Sequence, residues 1–249
     1  NMSLPDQPAA DAVAASAATG AVQTQPVPRK QVVSWALWDW ATQPFNSVIL
    51  TFVWVSLYLV SDSFLPADVA AQNADGQLVC SRAADAVTDY CRGLSDLSEW
   101  YGWVTFAAGI LVLLLAPVLG QRADAQGTKK RWVVGGTAAL ALVQFALFFV
   151  YAEPQYFWFG AILVALGSVA SEIAGVSFNA LLLQVSTPKT IGRVSGLGWG
   201  MGYIGGIVAL VIVVVLNQVG WFGLDVSGGL AYRLIAVGAA VWTVVFSLP

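Results

Sequence analysis

Long apolar runs alternate with short polar connections along this chain, and the polar positions inside the runs recur with a helical period. A helix needs about 20 mainly apolar residues to cross a hydrocarbon core of roughly 30 Å. Six segments meet or nearly meet that length, at about 33–60, 100–120, 132–151, 156–183, 194–216 and 231–248. In the first, Trp35, Asp39, Thr42 and Asn46 stand at offsets 0, 4, 7 and 11; in the fourth, Ser168, Glu172, Gly175 and Asn179 repeat those offsets. Each set falls on one helical face. Pro44 removes a backbone hydrogen bond inside the first segment and predicts a kink beside its polar stripe. The fifth segment opens with two interleaved glycine series, Gly192, Gly196, Gly200 and Gly198, Gly202, Gly206. Small residues at this spacing let helices approach closely, so Gly196, Gly198, Gly202 and Gly206 are expected helix-packing positions. Static packing and a smooth surface for rocking are both open.

The pattern predicts an all-α membrane protein: a six-helix transmembrane bundle over 33–249, preceded by a disordered cytoplasmic tail over 1–32. One long connection, 61–98, separates the first two spans. The first 28 residues lack a hydrophobic run and a basic start, so they read as tail and not as a signal peptide.

Composition agrees. The chain is 58% hydrophobic and 10% charged with a mean hydropathy of +0.73, whereas soluble domains are about a quarter charged. The net charge of −3 is unevenly spread. Arg29, Lys30, Arg122, Lys129, Lys130, Arg131, Lys189 and Arg193 fall in alternate connections on one side; the other side carries only Arg82, Arg92 and Arg233 among nine carboxylates. Positive charge next to a span is retained in the cytoplasm, which predicts a cytoplasmic N-terminus and, for a bacterial chain, the plasma membrane. No basic stripe suits a nucleic acid, and neither a metal cluster nor a nucleophile with its base is visible. Neither an enzyme nor a cofactor nor a metal is expected.

Both cysteines, Cys80 and Cys91, lie in the connection assigned to the outside, where a disulfide can form; two unpaired thiols are the alternative. Asp39 and Glu172 are carboxylates within spans, where a charge costs at least ~2.5 kcal/mol and normally faces a cavity or partner. Glu172 sits roughly 24 Å and 16 Å from the two ends of its segment, too deep to reach water by its own length. Asp39, about 9 Å in, could instead reach a cytoplasmic Lys or Arg as a structural ion pair. Helix–helix hydrogen bonding is the alternative role for Thr42 and Ser168. Trp35, Trp38 and Trp40 suit either an interfacial belt or stacking on a solute.

Three stretches carry a resemblance. Gly120-Gln-Arg122-Ala-Asp124-Ala-Gln-Gly127-Thr-Lys129-Lys130-Arg131 resembles the signature of the major facilitator superfamily between its second and third helices. Ser34-Trp35-Ala36-Leu37-Trp38-Asp39-Trp40-Ala41, and Asn179-Ala180-Leu181-Leu182 leading into Gly192-Arg193-Val194-Ser195-Gly196, are similar to the vacuolar amino-acid effluxer branch and its bacterial relatives. The resemblance implies the N-terminal six-helix bundle of a major-facilitator fold, with Gly120, Asp124, Gly127, Lys129, Lys130 and Arg131 forming a cytoplasmic gate. It places the first and fourth helices around a central cavity. The fold's usual twelve helices imply a missing C-terminal six-helix half. Tyr203 stands where the superfamily's antiporter motif has proline, so antiport is only suggested.

The expected function is secondary transport of a small polar solute, with amino acids a candidate class and protons a candidate coupling ion. Asp39, Asn46, Glu172 and Asn179, with Trp35, Thr42 and Ser168, are the expected cavity residues. The alternatives are a non-transporting scaffold or sensor of the same fold, and a six-helix half-transporter that dimerises.

Overall fold

The computed structural model describes residues 26–78, 80 and 88–248. Residues 1–25 of the expected tail, and Arg82 and Asp85 of the long connection, lie outside the described residues. Those described form no strand; their long helices are α1 (Arg29–Pro44), α2 (Asp89–Ala125), α3 (Lys129–Ala146), α4 (Phe157–Val185), α5 (Ile191–Gln218) and α6 (Leu230–Ser247). Five of them, α2 to α6, are long and apolar enough to cross a membrane.

The first expected span is built differently. α1 ends at Pro44, and the rod continues in wider π turns at Phe45–Phe52 and Val55–Leu59. Proline has no N–H to give and its ring crowds the preceding turn, so the α pattern is broken there. Hydroxyls take up carbonyls along the π turns: Thr51 Oγ1 donates to the Asn46 carbonyl and Ser56 Oγ to the Thr51 carbonyl, both at 2.6 Å. The expected kink therefore takes the form of a change in helical pitch.

Helix ends also extend past the apolar runs. α1 already begins at Arg29, inside the segment read as tail, and α2 begins at Asp89, well before residue 100. Thr88 Oγ1 accepts the Cys91 N–H at 3.2 Å, and Asp89 places a carboxylate in the first turn, both favourable at a helix N-terminus. Hydropathy misses these turns because Asp89–Glu99 is polar. Cys80 and Cys91 are disulfide-bonded, with Cα atoms 5.4 Å apart, which ties the connection to the start of α2.

The densest core joins the first rod to α3, α4 and α6, with Phe45, Ile49, Trp54, Tyr58 and Leu59 from the rod meeting Leu140, Leu147, Phe157, Val164 and Ala236. In lipid the hydrophobic effect does not drive helices together, so this contact must rest on close packing and hydrogen bonds. The apolar stretch of α2 is the opposite case. It buries nothing, and Trp103, Phe106, Leu113 and Leu114 face outward, a surface that suits hydrocarbon and not water.

Arg233, counted among the charges on the outward side, has partners that the sequence does not show. It lies in the first turn of α6, 8% exposed, donating Nε to the Phe148 carbonyl. Its guanidinium sits 4.5 Å from the Phe148 ring centre and 3.9 Å from that of Tyr151. Nearby, Tyr58 donates to the Val150 carbonyl at 2.8 Å and stacks on Tyr232 at 4.9 Å. Arg233 thus clamps α6 to the segment after α3, and Tyr58 ties the first rod to both.

Candidate functional site

Three helices approach closely enough to enclose a polar site. α5 meets α1 along glycines: a Cβ added at Gly198 would lie 2.7 Å from Trp35 Cζ3, and one at Gly202 would run into Asp39 Oδ2. At Gly205 it would stand 3.1 Å from the Trp40 carbonyl oxygen, and at Gly206 3.0 Å from Gln43 Cγ. Only hydrogen at these positions permits the seam. The other series behaves differently, for Cβ atoms at Gly192, Gly196 and Gly200 would meet nothing within 4 Å among the described residues.

α4 is fastened to α1 by aromatics. Trp35 and Trp38 both stack on Phe178, with ring centres 4.5 Å and 4.3 Å away. Trp35 Nε1 donates to the Phe178 carbonyl at 3.1 Å, and Trp38 Nε1 donates to Thr137 Oγ1 at 2.8 Å, which brings in α3. Trp35 and Trp38 thus clamp α1 to α4.

Between α1, α4 and α5 lies a cavity of about 270 Å³. The first rod lines it with Trp35, Asp39, Thr42 and Gln43 from α1 and Asn46 from the π turns, and α4 with Ser171, Glu172, Gly175 and Asn179; α5 adds Ser195, Trp199 and Tyr203. The two sequence stripes therefore face one space. Ser168 is absent from the lining, and its Oγ donates back to the Val164 carbonyl at 3.0 Å within its own helix. Thr42 likewise donates to the Trp38 carbonyl at 3.1 Å, leaving its oxygen to accept from the cavity.

The lining contains two carboxylates and neither Lys nor Arg. Among the described residues, no Lys or Arg comes within 4 Å of Asp39 or Glu172, so the ion pair considered for Asp39 does not form there. Glu172 and Asn179 are exposed, which leaves the cavity open on the α4 side. Such a site can accept hydrogen bonds and hold positive charge, whether a proton, a metal cation or an ammonium group.

The 120–131 stretch lies apart from the cavity. Lys129, 9% exposed, reaches Asp124 at 2.8 Å. Gly127 takes a φ of 62°, the left-handed turn that lets the chain reverse between α2 and α3. Gly120 sits against α4, where an added Cβ would be 3.5 Å from Val176. Lys130 and Arg131 are exposed beside Leu181 and Gln184.

Gln43, Ser171, Ser195, Trp199 and Tyr203 line the cavity without having been named as cavity residues in the sequence. A signal existed for the α5 group: Ser195, Trp199, Gly202 and Gly206 repeat the offsets 0, 4, 7 and 11 of the other two stripes. The glycine spacing masked it.

Comparison with known proteins adds the family. Residues 27–249 match the family described as "Vacuole effluxer Atg22 like". The chain is 26% identical over 228 residues to the uncharacterized MFS-type transporter YxiO of Bacillus subtilis (strain 168), a match covering 88% of this chain and 45% of that protein. The chain thus spans less than half the length of that relative. No solved structure matches.

Proposed function

The chain belongs to the Atg22-like vacuole effluxer family, and from that premise we propose that it forms one bundle of a secondary transporter moving a small polar solute by alternating access. The observation that carries this reading is the convergence of α1, α4 and α5 on one polar cavity holding two carboxylates with no ion pair among the described residues. An ionisable group at membrane depth is costly unless it serves a pathway. Asp39 and Glu172 are the charge-bearing groups, and Asn46 and Asn179 the neutral hydrogen-bonding ones. The chain has no His, so proton coupling in this bundle would fall to Glu172 or Asp39. The open side of the cavity, and the greater length of the relative, support a second six-helix half that closes the site and rocks against this one.

Amino acids are the proposed solute class. Counterflow of labelled amino acids into proteoliposomes holding the transport-competent protein tests it: exchange of at least one is expected, and no exchange across a full panel rejects the class. The proposed orientation places Asp124, Lys129 and their loop in the cytoplasm as a gate. A membrane-impermeant thiol reagent should reach Thr128→Cys only from inside; labelling from outside reverses the topology.

A further inference from the structure

We infer that a second site, independent of the polar cavity, binds an anionic phospholipid at the basic end of the bundle. A cavity of about 1150 Å³ lies between the start of α1 and the α4–α5 turn, and it shares no lining residue with the polar one. It exceeds the roughly 300–1,000 Å³ of ordinary small-ligand pockets. Its charged lining residues are Arg29, Lys189 and Arg193, with no carboxylate beside them. Among the described residues, none of the three has an Asp or Glu oxygen within 4 Å. The apolar lining is aliphatic: Val32 and Val33 from α1, Val185 from α4, Val194 and Leu197 from α5.

The cations are set on a fixed frame. The Thr187 N–H donates to Thr190 Oγ1 at 2.9 Å, and the Ile191 N–H donates to the Thr187 carbonyl at 2.9 Å, so the turn that carries Lys189 leads directly into the helix that carries Arg193. Three cations without an ion pair among the described residues, above a valine and leucine wall, match an amphiphile with a phosphate head and acyl chains. A free phosphate would use the cations and leave the wall bare. A neutral lipid would use the wall and leave the cations unpaired. Basic pockets between helices at the cytoplasmic face recognise anionic headgroups in this way, and each nearby Lys or Arg strengthens binding about fivefold.

The test uses the purified transport-competent protein in neutral detergent, with phosphatidylglycerol, phosphatidylcholine or glycerol phosphate added in turn. Bound lipid is read by native mass spectrometry and stabilisation by melting temperature. Phosphatidylglycerol should be retained and raise the melting temperature, with the other two doing neither. Arg29→Gln, Lys189→Gln and Arg193→Gln together should weaken it roughly a hundredfold, and Arg193→Gln alone about fivefold. The matched triple substitution at Arg122, Lys130 and Arg131 should leave it nearly unchanged. Equal retention of phosphatidylcholine, equal stabilisation by glycerol phosphate, or an equal loss in the Arg122, Lys130 and Arg131 variant would each overturn the site. None of these readings depends on transport, so the site can fail while the transport proposal stands.

Discussion

Glu172 and Arg233 are both ionisable groups set in apolar helices, and their surroundings give them opposite parts. Arg233 is enclosed by two aromatic rings and a carbonyl, a set of partners that offsets the cost of burying its charge. Glu172 is exposed to a cavity, and among the described residues it has neither an ion pair nor a side-chain hydrogen bond. Sequence alone marks Glu172 as a carboxylate within a span and counts Arg233 among the outward-side charges, but it could not supply these environments, because the surroundings come from other helices. Gln144 shows the same limit more sharply. It is wholly buried on α3, and its Oε1 and Nε2 have no partner among the described residues. Leaving buried polar atoms unpaired costs about 1–3 kcal/mol per group. Gln144→Met keeps the volume and removes both atoms, so it should stabilise the protein by about 1 kcal/mol. Thermal unfolding in detergent reads this directly, and a lower melting temperature would show that Gln144 is satisfied.

At the scale of elements, helix type and most apolar runs were legible, since period and length declare an apolar helix. Pitch was not: nothing in hydropathy separates α from π turns after Pro44. Nor could spacing decide which glycine series packs, as both repeat every four residues and only the direction of α5 relative to α1 selects one. Gly202 abuts Asp39, whereas Gly200 faces open space. A leucine at Gly202 must therefore force the α1–α5 seam apart, costing about 1–3 kcal/mol or more and displacing a cavity carboxylate. Gly202→Leu should lower the melting temperature and Gly200→Leu should not. Equal effects would mean that the seam does not run through Gly202.

Across the whole molecule, the two polar stripes pointed to the site because a helix face that is polar in lipid needs something to face, and the fold turns both faces to one cavity. The contribution of α5 was hidden under its glycines, and on α4 it is Ser171 and not Ser168 that stands in the lining. The central claim is that this shared cavity is a pathway and not a hydrogen-bonded contact between helices. Glu172→Gln separates the two, since glutamine keeps the size and the hydrogen bonding but carries neither charge nor an exchangeable acid proton. The decisive measurement is solute flux by the Glu172→Gln transporter in proteoliposomes, taken together with its melting temperature. Lost or uncoupled flux with an unchanged melting temperature is predicted; undiminished, still coupled flux would contradict the pathway, and a loss of stability of about 3–5 kcal/mol would instead reveal a buried ion pair.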